Sequence, residues 1–174
     1  VVDEAYAEFL RTPSESAIKS VGNFKNVIVI RTMSKAFGLA GARIGYLVAH
    51  PKIVQALMLV RLPYHLGAHT QEIAKACLEH SEELLLNIEV LKQQRERIIS
   101  ELTKLGLAPF PSDANFVLFG GLDDARAAWN FLQNRGVLIR DVGLDGMLRV
   151  TAGTPEETTI FLEAIADYLK EGQQ

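Results

Sequence analysis

Asn26-Val27-Ile28-Val29-Ile30 runs straight into Arg31-Thr32-Met33-Ser34-Lys35-Ala36-Phe37-Gly38-Leu39-Ala40-Gly41-Ala42-Arg43-Ile44-Gly45. The apolar, β-branched run closed by small residues predicts a buried strand that opens into a loop. Lys35 lies just past the strand's end, and Arg43 follows eight positions on. A primary amine so placed suits attack on an aldehyde, because a cationic or desolvated setting lowers its pKa and makes it nucleophilic. Thr32 and Ser34 offer hydroxyls, Gly38 and Gly41 let backbone approach an anion, and Arg43 can grip phosphate oxygens in pairs. An amine for an aldehyde beside donors for a phosphate fits pyridoxal phosphate. Taken alone, a lysine in a Gly/Ala-rich loop is usually just solvated, and the neighbouring residues change that reading.

The chain opens Val1-Val2-Asp3-Glu4-Ala5-Tyr6-Ala7-Glu8-Phe9, an apolar strand end followed by an acid and then a tyrosine. A carboxylate at the C-terminal end of a strand faces the ligand crevice of an open α/β sheet. Asp3 could keep a cofactor's pyridine nitrogen protonated, which makes the ring an electron sink. Tyr6 could hydrogen-bond the ring's phenolic oxygen. A strand-to-loop turn with a solvated acid fits the same residues.

Composition narrows the class. The chain has 174 residues, 48% hydrophobic and 22% charged, as expected for a globular protein with a sizeable core. A net charge of −3 and the lack of a Lys/Arg cluster argue against a nucleic-acid partner. No apolar run is long enough to span a bilayer and no secretory signal is visible, which leads to the expectation of a cytoplasmic protein without membrane contact. Cys77, the one cysteine, has no partner for an internal disulfide and reads as a buried thiol. His50, His65, His69 and His80 lack metal-ligand spacing, so no metal is expected.

After the Lys35 loop, residues 44–49 read as another strand, and Pro51 fits the first turn of a helix to about Arg61. Pro63 breaks it. Further helices are expected from about Ala68 to His80 and from about Glu82 to Leu105, the last stopped by Gly106. In that long helix Leu84, Ile88, Leu91, Ile98 and Leu102 form an apolar stripe, and Lys92 to Glu96 form a wet face. A turn over residues 109–113 and a strand over 114–119 follow. Asp123 reads as the N-cap of a helix to Arg135, and residues 137–140 and 147–151 as two strands. Thr154, Pro155 and Glu157 spell the N-cap, first position and capping-box partner of a last helix. The strand–helix alternation before residue 81 predicts a parallel, helix-covered sheet. The later elements predict a smaller α/β domain reached through the long helix. The domains are therefore placed at 1–81 and 82–174.

Two arginines mark the late strands. Arg149 is flanked by apolar residues, and a charge inside an apolar strand needs a partner. A structural carboxylate would serve, and so would a substrate carboxylate held by the planar guanidinium fork. Arg140 stands beside Asp141 and near Asp145, and an ion pair with either is as fitting as a ligand role. His65 and His69 flank the loop after Pro63 and read as capping or solvated residues.

The segment from Ser34 to Gly45, SKAFGLAGARIG, resembles the cofactor-lysine segment of fold-type-I pyridoxal-phosphate enzymes, most closely the histidinol-phosphate aminotransferase branch. The opening DEAYAEF and the segment LRVTAGT around Arg149 resemble the same family, in the same order. The resemblance covers essentially the whole chain but only about the C-terminal half of such an enzyme. It implies a fragment, or one piece of a nicked protein, holding part of the large cofactor-binding domain and the small C-terminal domain.

The resemblance also implies roles. Lys35 binds pyridoxal phosphate covalently and then moves a proton as general base and acid. Asp3 and Tyr6 hold the ring nitrogen and phenolate, while Thr32, Ser34 and Arg43 anchor the phosphate. Arg149 takes the α-carboxylate of amino-acid or keto-acid substrates and Arg140 a substrate phosphate. The implied reaction exchanges an amino group between L-histidinol phosphate and 2-oxoglutarate, giving imidazole-acetol phosphate and L-glutamate, in a homodimer or in pairing with the absent N-terminal half. A phosphothreonine decarboxylase or an aromatic aminotransferase would share the Lys35 chemistry. An inactive fragment serving as an interaction module is the alternative of another class.

Overall fold

The computed structural model describes residues 1–12 and 16–171. It divides into two compact units, Val1–Ile88 and the remainder from Glu89. The division falls inside the long helix, α3 (Ser81–Lys104), rather than at its start.

In the first unit, β1 (Val2–Asp3), β2 (Ile28–Thr32) and β3 (Gly45–Ala49) form a sheet in that order. β1 runs parallel to β2, pairing Val2 with Val29 and Asp3 with Ile30. β3 runs antiparallel to β2, pairing Ile28 with Ala49 and Thr32 with Gly45. The parallel pairing expected here holds between β1 and β2, and β3 makes the sheet a mixed one. Parallel neighbours need a long crossover, usually a helix. The segment between β2 and β3 carries only a short 3-10 turn at Ala40–Ala42, and it returns the chain antiparallel. Val29 is fully buried, and Phe9 and Met33 are buried with it.

Two helices follow, α1 (Pro51–Val60) and α2 (Ala68–Glu79). Pro51 opens α1, where its missing N–H costs nothing, and the His50 ring accepts from the Lys52 amide at 3.3 Å. α1 buries none of its residues fully, and Leu59 and Val60 are 86% and 78% exposed.

The second unit holds β4 (Ala108–Pro109), β5 (Phe116–Gly120), α4 (Ala125–Asn134), β6 (Arg140–Asp141), β7 (Leu148–Thr151) and α5 (Pro155–Glu171). The strands lie in the order β4-β5-β7-β6 and every pairing is antiparallel. Ile98 and Leu102 of α3, Val117 and Phe119 of β5, Leu132 of α4, Leu148 of β7 and Ile165 of α5 share one core. Phe119 meets Phe161 edge-on at 6.1 Å. At the start of α5, Thr154 and Glu157 exchange hydrogen bonds of 2.8 and 3.2 Å, the reciprocal pattern of a capping box.

Three local expectations are corrected. The N-cap of α4 is Asp124, whose carboxylate accepts from the Ala127 amide at 2.8 Å, and not Asp123. Residues 137–139 are not strand; β6 begins at Arg140, because Val137 is turned back onto the end of α4 through the Leu132 carbonyl. The wet face of α3 also contains buried residues. Gln94 is buried, and Arg95 is 1% exposed, its Nη1 donating to the Ala114 carbonyl at 3.0 Å and its Nε to Glu96 at 3.0 Å. The turn before β5 covers this part of the helix, and the guanidinium supplies donors to it.

Among the described residues, no helix is long and apolar enough to cross a membrane. Among the same residues, no three His, Cys, Asp or Glu side chains come together to hold a metal ion.

Candidate active site

In the first unit the candidate residues gather at the ends of two parallel strands. Asp3 is the last residue of β1, and the Ala5 amide donates to its carboxylate at 3.0 Å. Tyr6 begins the 3-10 turn Ala7–Phe9, and its ring meets that of Phe9 at 6.4 Å. Lys35 reaches this turn from the other strand, its Nζ standing 5.7 Å from the centre of the Tyr6 ring. Tyr6 and Lys35 are thus brought together although they are far apart in sequence.

The loop between β2 and β3 has a closed base. The Met33 amide donates to the Ile44 carbonyl at 3.1 Å, and the Thr32 hydroxyl donates to the same oxygen at 3.4 Å. Thr32 Oγ1 also accepts from the Ser34 amide at 3.1 Å, a side-chain turn that fixes the chain just before Lys35. The Leu39 amide returns to the Met33 carbonyl at 3.0 Å, and Gly38 takes a positive φ of 66° to make that turn. Met33 is buried, so this loop hangs from the core while Lys35 remains exposed at its rim. Arg43 closes the 3-10 turn with a left-handed φ of 52°, and its Nη1 donates to the Ala40 carbonyl at 3.1 Å. The Arg43 guanidinium is therefore turned onto its own loop.

A network that the sequence reading missed lies beside this pair of strand ends. Arg31 donates to Glu4 from Nη2 at 2.9 Å and from Nε at 3.2 Å. The Ser16 hydroxyl and the Ala17 amide donate to the same carboxylate at 2.9 and 2.5 Å, and Glu8 lies 3.4 Å from Arg31. Burial would push the Glu4 carboxyl up, but the Ala17 amide, Arg31 and Ser16 outweigh it, and its pKa falls below the usual value. The available signal was Arg31 itself, a charge ending an apolar strand.

In the second unit, β7 places Arg149 between Leu118 of β5 and Arg140 of β6. The Arg149 guanidinium lies over the Phe116 ring at 4.6 Å. Its Nε is buried without a hydrogen-bond partner among the described residues. Arg140 is exposed, and Asp141 is engaged elsewhere: it accepts from Arg126 at 3.2 Å and from the Gly143 amide at 2.8 Å. The Gly143 and Arg126 donors hold the Asp141 carboxyl below its ordinary value. A hollow of about 400 Å³, lined by Ile98, Val137, Ile139, Val150, Thr158 and Phe161, includes neither arginine.

The sequence profile of the aminotransferase class I and II family matches residues 1–165. A histidinol-phosphate aminotransferase of Frankia casuarinae is 56% identical over 95% of this chain and 42% of its own length. That of Streptomyces avermitilis is 52% identical over 98% of this chain and 46% of its own length. The crystal structure of histidinol-phosphate aminotransferase from Sinorhizobium meliloti, in complex with pyridoxal-5'-phosphate, is 32% identical with a TM-score of 0.84, covering 97% of this chain and 48% of that one. The L-threonine-O-3-phosphate decarboxylase of Porphyromonas gingivalis is 26% identical with a TM-score of 0.84, over 97% and 54%. The chain spans less than half the length of these curated relatives. With a lysine loop closed at its base, an acid at a neighbouring strand end and a profile match along most of its length, this chain belongs to the aminotransferase class I and II family.

Proposed function

We propose that this chain carries the cofactor lysine and the substrate arginines of a pyridoxal-phosphate-dependent aminotransferase. Its reaction moves an amino group between L-histidinol phosphate and 2-oxoglutarate. The observation that carries this reading is the placement of Lys35, exposed on a braced loop with its amine above Tyr6. The names of the two curated relatives above, 56% and 52% identical, supply the substrate class.

The residues present fit the cofactor. Lys35 offers the amine for its aldehyde, Asp3 a carboxylate for its ring nitrogen, and Tyr6 a hydroxyl for its phenolic oxygen. Thr32, Ser34 and, after its side chain swings off Ala40, Arg43 offer donors for its phosphate. When bound, pyridoxal phosphate supplies an electron sink for charge developing at the substrate's Cα. The Asp3 carboxylate would accept a hydrogen bond from the ring nitrogen's proton and hold it there. Lys35, once free, takes and returns the Cα proton as general base and acid. The unpaired Arg149 Nε and the exposed Arg140 fit a carboxylate and a phosphate respectively. We place this reaction in the cytoplasm and in a homodimer, in line with the family resemblance. The uncovered apolar residues of α1 support the presence of a further covering surface.

Borohydride reduction of the complete protein with pyridoxal phosphate, followed by peptide mass mapping, tests the cofactor site. A pyridoxyl group on Lys35, absent from Lys35→Ala, is expected; labelling of other lysines alone overturns the reading. Assay with histidinol phosphate, an aromatic amino acid and phosphothreonine separates the substrates. Release of carbon dioxide from phosphothreonine would identify a decarboxylase instead.

A further inference from the structure

We propose that Glu4 and Arg31 form a positioning pair that fixes the Asp3 strand end against the strand leading into Lys35. This rests on the reading of Asp3 and Lys35 given above. β1 is two residues long, both of them exposed, so its ladder with β2 is a weak tether for a carboxylate that must hold one place. The Glu4 amide adds a bond to the Ile30 carbonyl at 2.8 Å. The Glu4 carboxylate adds the rest.

Glu4 directly follows Asp3, and Arg31 directly precedes Thr32, whose hydroxyl shapes the turn into Lys35. Nε and Nη2 of Arg31 converge on one Glu4 oxygen, so the contact fixes direction as well as distance. The side chains are 9% and 18% exposed, which protects the pair from the screening that weakens surface ion pairs. Ser16 and Ala17 complete the carboxylate's donor set. Glu4 is committed to these donors and so is a positioning residue, acting on the reaction through Asp3 and the Lys35 loop. Glu8, and Tyr46 opposite on β3, also face Arg31. The guanidinium therefore keeps an anionic partner when Glu4 is neutralised, which makes Glu4→Gln a clean probe.

The test uses the complete protein with pyridoxal phosphate and compares Glu4→Gln, Arg31→Lys and the double variant. Readouts are the cofactor dissociation constant by dialysis, the pH midpoint of the bound cofactor's visible band, and kcat and KM per bound cofactor. Displacing an acid by a fraction of an ångström predicts kcat down about tenfold, KM changed less than about twofold and cofactor affinity down about tenfold. The midpoint moves in both single variants, and the double variant is no worse than either. Arg31→Lys keeps the charge but loses the fork, so it reports even if Glu4→Gln folds poorly. A lower melting temperature with unchanged midpoint and kcat makes the pair merely structural and overturns the inference. Asp3→Asn is measured alongside. If it moves midpoint and kcat while neither pair variant does, the inference alone falls. If Asp3→Asn also moves nothing, the reading of Asp3 falls and the inference with it.

Discussion

Arg140 and Arg149 face each other as a register pair across the β6–β7 ladder. Directly opposed residues of an antiparallel pair point to the same side of the sheet, and like charges so placed repel. Asp141, the nearest acid in sequence, is taken by Arg126, and Arg149 Nε has no partner among the described residues. A sheet that sets two arginines at opposed positions on one face is suited to gathering anions. In the proposed transamination the phosphate of one substrate and the carboxylates of the other would meet these two cations in turn.

Arg140→Gln therefore separates binding from folding. Removing one of two opposed cations is expected to leave stability unchanged or raise it by about 0.2–1 kcal/mol. The same change should raise KM for a phosphorylated amino substrate while leaving KM for 2-oxoglutarate alone. Arg149→Lys should raise KM for 2-oxoglutarate roughly 10- to 100-fold, the worth of a charge-assisted hydrogen bond. Melting curves and steady-state kinetics on the two variants check this, and a stability loss in Arg140→Gln without a KM change would contradict it.

Glu4 links the N-terminal unit to pH. Its folded-state pKa lies below the ordinary value of 4.5, so the folded state favours the charged carboxylate. Its contribution to stability is then full above the unfolded pKa and is lost as pH falls through the folded one. The stability gap between the native protein and Glu4→Gln should be widest near neutrality, begin to narrow as pH falls past 4.5, and vanish only below the folded-state pKa. Denaturant unfolding at a series of pH values measures that gap. A gap that stays constant with pH would show that Glu4 acts by packing alone.

What could be read from the sequence was what is decided locally. Pro51 at the start of α1 and the Thr154–Glu157 capping box need only their neighbours, and both stand where the residues indicated. Asp123 and Asp124 offer the same chemistry one residue apart, and only the geometry of the first turn selects Asp124. The direction of β3 depends on how the loop after Thr32 closes, through Met33 and Ile44, which no periodicity records. The Glu4–Arg31 contact joins residues separated by 27 positions, and the DEAYAEF resemblance gave roles to Asp3 and Tyr6 but none to Glu4. Arg95 falls on the polar side of its helix by pattern, and its burial follows from a turn that packs on it from later in the chain.

Gly45 shows how tightly β3 is seated. A Cβ at this position would stand 2.6 Å from the Arg31 carbonyl oxygen, a backbone atom of the central strand that cannot move aside. Gly45→Ala should cost about 1–3 kcal/mol, as overpacking usually does, by prising the strands apart where the Lys35 loop closes. Because that loop hangs from the same strand ends, cofactor affinity should fall with stability. Thermal melts with and without pyridoxal phosphate would show a smaller ligand-induced rise for the variant than for the native protein. An unchanged melting temperature would mean that β3 is less closely held than its register implies.

Arg95 poses the opposite problem, a charge inside the C-terminal unit. Its guanidinium meets the Ala114 carbonyl just before β5 and Glu96 on its own helix. Arg95→Ala would strand the carbonyl and open a void, which should cost about 2–5 kcal/mol, as truncating a large buried side chain does. Arg95→Met keeps the stem's volume but not its donors, and the loss should be smaller, about 1–3 kcal/mol for one buried acceptor left unpaired. Ala114 leads directly into the strand that faces Arg149, so Arg95→Met should also raise KM for the keto acid, with kcat less affected. Unfolding curves rank the two variants, and steady-state kinetics give the KM. If Arg95→Met proves as stable as the native protein, the buried guanidinium is there for the turn's conformation rather than for net stability, and the KM change alone should remain.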